Sequence, residues 1–458
     1  MLRRISAHAP KNIAAIVALL MLALALALGG GASRADQLGQ PIVRATAVIA
    51  VAIVIIARLP LLWDRVRPVL LLLAGAAIIC LVQLVPLPPT LWHALGGRND
   101  FATLSNELGF PEVWRPLSIV PDATINALFS LIVPAAFAIV IAALTTRQIR
   151  LLLPAMIAFA GMSAVIGLVQ LGGEWSNPML NETLGEAAGM FANRNHQALL
   201  LAIGLLLLPP WAMYQNWRMA WMRTVTAAVL MPFFVLMVLA TGSRAGLVLA
   251  GIALLLSSWI CSDVIGGFAV RSKATAAATM ALVAGGIGTL AGLVWLSTRT
   301  RTLDRLFATD AMEDFRFRAF PTVRELVETY FPWGSGLGSF DTVFRAAEPL
   351  ALLKPTYFNH AHNDFAEVSL EAGLPGILLL IGAIAWVASR AAAAQRSRDR
   401  RWSRQARTGV GIIVLVLVAS AIDYPARVPI YMALLVIAAS WLYREIVAPE
   451  PDRAVPRS

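Results

Sequence analysis

"RTVTAAVLMPFFVLMVLATGSRAGLVLAGIALLLSSWI", residues 223–260, contains two uncharged apolar runs joined by the short hinge "TGSRAG". A membrane-crossing helix needs about 20 mainly apolar residues. Residues 224–240 and 245–260 come close to that length and read as a membrane hairpin, with Arg244 in the hinge. The same pattern recurs on both sides, at 13–29, 42–57, 69–85, 125–144, 151–170, 197–213, 275–296, 374–390, 410–422 and 428–443. The fold class expected is an all-α polytopic membrane protein of about 12 transmembrane helices.

Composition agrees. Of 458 residues, 59% are hydrophobic and 14% charged, and the mean hydropathy of +0.73 lies above that of soluble domains. Cys80 and Cys261 show no CxxC spacing, which argues against a zinc site or a disulfide framework. The net charge of +11 would suggest nucleic acid in a soluble protein, but the positive-inside rule explains it here, and no nucleic-acid partner is expected. With the N-terminus in the cytoplasm, the inner segments collect 22 of the 37 Lys and Arg residues. Both termini then lie in the cytoplasm. Arg3, Arg4 and Lys11 ahead of an apolar stretch imitate a signal peptide. Before so many later spans, this stretch reads as an uncleaved first helix.

The chain is expected to be one membrane domain, 1–458, with three longer outer segments at 86–124, 171–196 and 297–373. A disordered cytoplasmic tail follows at 444–458. The loop 297–373 is the largest. It holds an amphipathic helix, "DFRFRAFPTVRELVETY", then the turn "PWGSGLGSF", then "HAHNDFAEVSLEAGLPG" at 360–376. "GSGLG" lacks dinucleotide-fingerprint spacing and reads as a tight turn.

Polar residues beside a membrane segment are costly unless they serve a purpose. If 360–376 is helical from His360, then His360, Asp364, Glu367 and Glu371 share one face, and His362 points elsewhere. Glu367 or Glu371 would then be placed to orient His362. A plainer alternative makes the segment a solvated loop, with Asn363 or Asp364 capping the next span. The HxH spacing would also suit a metal, with Asp364 as third ligand, yet the chain has only five histidines, and no metal is expected. Arg244 sits between apolar runs among small neighbours that leave room for a ligand; the alternative is an interfacial anchor. Arg316 and Arg318 lie on the loop helix, where one of them is expected to be merely solvated. Two guanidinium groups from different segments suit a diphosphate. "GMFANRNHQALLL" brings Asn193, Arg194, Asn195 and His196 to a helix start, as caps or as the lining of the same outer cavity.

Taken in order, "LVQLVPLPPTLW" (81–92), "RPLSIVPDATINAL" (115–128), "GMFANRNHQALL" (189–200), "TGSRAG" (241–246), "PWGSGLGSF" (332–340), "HAHNDFAEVSLEAGLPG" and "DYPAR" (423–427) resemble the O-antigen ligases and related polysaccharide polymerases of bacterial envelopes. The resemblance spans residues 70–445. It implies a GT-C-like membrane glycosyltransferase of the inner membrane, inverting and metal-independent, without a cofactor and with its site at the periplasmic face. The implied donor is a glycan on undecaprenyl diphosphate. The acceptor is a saccharide, on a lipid-linked glycan for a polymerase or on the lipid A core for a ligase; polymerase is slightly favoured. The family's essential residues fall on Arg244, Arg316 and His362, with Arg318 the rival of Arg316 and Phe320 where relatives often carry Trp. His360, Asn363, Glu367, Glu371, Asn193 and Arg194 are expected to contact substrate, and membrane lipids surround the chain.

The chemistry is coherent without the family. Cleaving a sugar–diphosphate bond develops charge on the leaving phosphate, which two arginines would stabilise. His362 is suited to act as base or orienting group for the acceptor hydroxyl. The alternative of another class is a saccharide transporter or flippase. That would call for ionisable positions near the midplane in paired halves, whereas the polar residues here gather at one face and no repeat is evident.

Overall fold

The computed structural model describes residues 12–30, 39–110, 113–173, 186–213, 220–262, 311–353 and 358–444. Helices dominate. In chain order they begin with α1 Ile13–Gly29, α2 Gly39–Ile56, α3 Trp63–Gln83, α4 Pro89–His93, α5 Asn99–Glu107, α6 Pro121–Ser130, α7 Ile132–Ala142, α8 Thr146–Ile149 and α9 Leu152–Leu171. They continue with α10 Arg194–Ala212, α11 Ala220–Ala240, α12 Arg244–Ile260, α13 Ala311–Tyr330, α14 Phe340–Ala347, α15 Asp364–Arg396, α16 Arg400–Ser420 and α17 Pro429–Ser440. All-α needs one small correction. Within 86–124, Pro86–Leu87 (β1) and Arg115–Pro116 (β2) pair antiparallel, and this is the single sheet among the described residues.

Seven helical stretches of the described residues are long and apolar enough to cross a membrane: Gly39–Ile56, Trp63–Gln83, Pro121–Ala142, Thr146–Leu171, Arg194–Ala212, Ala220–Ala240 and Asp364–Arg396. The apolar helices Ile13–Gly29, Arg244–Ile260 and Pro429–Ser440 are shorter. The expected span 410–422 falls on α16, which begins with a basic half. The expected span 275–296 and most of the tail 444–458 lie outside the described residues. Lipid-facing sides are recognisable: α3 exposes Leu71, Ile78, Leu81 and Val82, spaced as one helical stripe. By contrast α10 is buried along nearly its whole length. It runs through the centre of the bundle, against α9, α11, α12 and α16.

The loop helix expected at 314–330 is present as α13. It forms a second, smaller core with α14 and the start of α15, through Phe315, Ala319, Val323, Phe340, Phe344, Phe358 and Leu370. The glycine turn fastens this unit to the bundle. The Ser335 and Gly336 N–H groups donate to the carbonyls of Leu370 and Glu371. Gln83 at the end of α3 donates to the Glu371 carbonyl and accepts from Leu337 N–H. "GSGLG" is therefore a tight turn, as read. Gly373, at φ +56°, breaks α15 into two helices. A Cβ there would lie 2.1 Å from the Pro332 carbonyl oxygen.

Candidate active site

The helix of the "HAHNDF" stretch starts at Asp364, four residues later than the expectation from His360. Asn363 is its N-cap, accepting from Ala366 N–H at 3.0 Å. His360, Ala361 and His362 form the lead-in. Even so, Asp364, Glu367 and Glu371 share a face, and all three meet Arg427. The distances are 3.4 Å from Nε to Asp364 Oδ1, 3.2 Å from Nη1 to Glu367 Oε1 and 3.0 Å from Nη2 to Glu371 Oε2. Glu367 also holds the lead-in, with Oε1 at 2.7 Å from His360 Nδ1 and Oε2 accepting from Ala361 N–H at 3.0 Å.

His362 points away from these acids, as expected, but its partner is neither glutamate. Its Nδ1 lies 2.9 Å from Oδ1 of Asp423, in the turn between α16 and α17. This corrects the idea that Glu367 or Glu371 orients His362: both are fully buried and face Arg427. Asp423 is a hub. Its Oδ2 accepts from Asn193 Nδ2 at 2.9 Å and Asn195 Nδ2 at 2.8 Å, and lies 3.8 Å from an Arg316 guanidinium nitrogen. Its Oδ1 also accepts from Tyr424 N–H and lies 3.9 Å from His196 Nε2. The Tyr424 ring stands 4.3 Å from that of His360 and 5.0 Å from that of His362.

Hydrogen bonds join three helix N-termini at this hub. Asn193 caps α10. Ser243 caps α12 by accepting from Gly246 N–H, and its hydroxyl donates to Asn195 Oδ1 at 2.7 Å. Asn363 caps α15 and donates to the Ala421 carbonyl. Helix N-termini favour anions, and the residue that follows two of these caps is an arginine, Arg194 or Arg244. Arg244 is exposed, directly after Ser243. Arg316 is half-buried, with its Nε lacking a hydrogen-bond partner. Arg318 turns away and donates to the Ala351 carbonyl.

Electrostatics separate the two members of the dyad. Burial drives the Asp423 carboxyl upward, but His362, the hydrogen bond from it, His196 and Arg316 outweigh this and hold it well below the usual range. Burial lowers His362 below its ordinary value, against the pull of Asp423. The result is a neutral imidazole beside a fixed carboxylate. With Nδ1–H donated to Asp423, Nε2 is left as the basic nitrogen. For Arg427, burial lowers the pKa, but the three carboxylates outweigh it and keep the guanidinium charged.

The HxH segment does not gather a ligand set, since His360 and His362 take different carboxylates. Asp364, the supposed third ligand, accepts instead from Ser420 Oγ and Ala426 N–H. Among the described residues no cluster of three or more His, Cys, Asp or Glu is placed to hold a metal. Sequence reasoning missed the roles of Asp423, Tyr424 and Arg427, and placed Asn195 only as a cap or cavity lining. The "DYPAR" stretch between two apolar runs was the available signal for the first three.

Residues 227–381 match the O-antigen ligase family. The resemblance seen in the sequence is borne out over that stretch, and the match supports an O-antigen ligase or polymerase type of function. The matched region takes in Arg244, Arg316, Arg318, His360, His362, Asn363, Glu367 and Glu371. Asn193, Arg194, Asp423 and Arg427 fall outside it and reach the same place through the fold. No curated protein matches the chain.

Proposed function

We propose that the protein transfers a glycan from undecaprenyl diphosphate to a saccharide acceptor at the periplasmic face of the bacterial inner membrane. The observation that carries this reading is the His362–Asp423 pair with Arg316 at the other carboxylate oxygen. A neutral imidazole with Nε2 available suits an acceptor hydroxyl, whose proton it would take as the hydroxyl oxygen attacks the anomeric carbon. The bond to the diphosphate breaks on the opposite side, which inverts the centre. Arg316 and Arg244, helped by the N-termini of α10 and α12, would hold the charge developing on the leaving diphosphate. Asn193 bonds Asp423, His360 and Asn363 flank His362 in sequence, and Arg194 follows the Asn193 cap; these four would contact the saccharides. Glu367 and Glu371 are buried against Arg427, so we assign them to the framework. Neither a metal nor a cofactor enters this chemistry.

The test is transfer by purified protein in vesicles, from a polyprenyl-diphosphate glycan, with products resolved by length. Activity is expected to survive EDTA and to disappear in His362→Ala. Restoration by one divalent ion after chelation would overturn the metal-independent reading. Polymerisation gives a ladder on the lipid carrier, whereas ligation gives product only when a lipid A core acceptor is added. A ladder is the expected result.

A further inference from the structure

The most heavily built feature outside the dyad is the cluster at Arg427. Four side chains meet there: Arg427, Asp364, Glu367 and Glu371, with His360 attached. Each carboxylate meets Arg427 and also holds a different segment, with Glu367 Oε1 shared between Arg427 and His360. Glu367 takes Ala361 N–H and His360, in the lead-in that carries His362. Asp364 takes Ser420 Oγ and Ala426 N–H, on either side of the turn that carries Asp423. Glu371 takes Phe340 N–H, at the start of α14 in the loop core. One guanidinium therefore ties together the segments whose relative placement decides whether His362 meets Asp423.

The lead-in needs such a tie. His362 is at φ +48°, a backbone region that L-residues seldom occupy. It is pinned from both sides, by Ala361 N–H on Glu367 and by Asn363 on the Ala421 carbonyl. Arg427 lies four residues after Asp423, across the 3₁₀ turn Pro425–Arg427. Its planar fork suits several carboxylates at once, where an ammonium would offer a single point of charge.

We infer that Arg427 is a positioning residue for transfer, which sets the His362 lead-in against the Asp423 turn through its three carboxylates without touching substrate. The inference rests on the reading of His362 as acceptor base.

The test compares Arg427→Lys, Glu367→Gln and His362→Gln in reconstituted vesicles, with folding followed by thermal unfolding in detergent. Arg427→Lys is expected to lower kcat by about 10- to 100-fold, the scale of a misplacement near 1 Å, with KM for the lipid donor unchanged. The acid limb of its pH–kcat profile should move to lower pH. An imidazole withdrawn from Asp423 loses the charge that favours its proton, while Arg316 and His360 still oppose that proton. Glu367→Gln keeps the shape and loosens the same tie, so it should give the same signature. A wild-type kcat, a rise in KM alone, or a lowered kcat with an unmoved acid limb would overturn the inference. So would loss of the folded state in both cluster variants, which would assign the cluster to folding. An active His362→Gln would instead sink the reading of His362 as base.

Discussion

His362 and Asp423 lie 61 positions apart in sequence and 2.9 Å apart in space. Asp423 fixes the imidazole's tautomer by taking Nδ1–H, as an orienting carboxylate does in other His–Asp pairs. His362 is neutral above its lowered pKa and protonated below it, so the proposed base function would be present at neutral pH and lost on acidification. The acid limb of the pH–kcat profile is expected below 6.5, the ordinary histidine value. Asp423→Asn should cut kcat by roughly 10²–10⁴-fold and push the limb of the residual activity lower still, because the charge raising His362 is gone. A limb at or above 6.5 in the wild type would contradict this assignment. The two loop arginines separate at the same scale. Positions two apart on a helix face about 200° apart, and Arg316 faces Asp423 while Arg318 faces Ala351. Arg316→Ala should lose on the order of 10²–10³ in rate, and Arg318→Ala should lose less. Arg244→Lys should be nearly as damaging as Arg244→Ala if its fork engages two phosphate oxygens. Transfer rates of the four variants decide it, and an active Arg316→Ala beside a dead Arg318→Ala would reverse the assignment.

Helix caps and glycines organise the site at the level of elements. Ser243→Ala removes both the α12 cap and the hydrogen bond to Asn195. A lost cap costs about 1 kcal/mol, and transfer should fall with it, because Asn195 also holds Asp423. Gly373→Ala places a methyl 2.1 Å from the Pro332 oxygen at φ +56°. It should destabilise by at least about 1–3 kcal/mol, the cost of a strained backbone residue. Gly382→Ala meets nothing within 4 Å in the second half of α15 and should leave stability unchanged or raised. Thermal unfolding of the three variants checks the order, and equal stability of Gly373→Ala and Gly382→Ala would remove the argument. These elements also mark what the sequence made legible. Apolar run length located several described helices to within a few residues, among them Gly39–Ile56, Ala220–Ala240 and Arg244–Ile260, because lipid demands such runs, whereas α16 begins ten residues before the run at 410–422. A helix cap at Asn363 or Asp364, the α13 helix and the glycine turn follow from local rules and were readable, and the structure takes Asn363 as the cap. The partner of His362 was not, since a contact between 362 and 423 depends on how α15 and α16 are placed. The shared face of Asp364, Glu367 and Glu371 was readable, but its occupant, Arg427, was not.

At the scale of the whole molecule, one helix ties the chemistry to the membrane. At 1.5 Å per residue the 33 residues of α15 would measure about 50 Å, more than the roughly 30 Å of hydrocarbon. The part after Gly373 measures about 35 Å and suffices to cross. The first part, with Asp364, Glu367 and Glu371, then stands outside the hydrocarbon with the loop core. At the other end α15 reaches Arg396 and a basic segment, Arg398, Arg400 and Arg401, which the positive-inside rule assigns to the cytoplasm. The site and the basic segment should therefore lie on opposite sides. Cys80 and Cys261 are both buried, so background labelling by a membrane-impermeant maleimide should be low. Phe317, at 81% exposure beside Arg316, offers a reporter at the site. Phe317→Cys is expected to label in intact spheroplasts. Arg398→Cys should label only after the membrane is opened. Labelling of Arg398→Cys in intact spheroplasts, with Phe317→Cys protected, would invert the chain and put the dyad on the cytoplasmic side, out of reach of a periplasmic glycan.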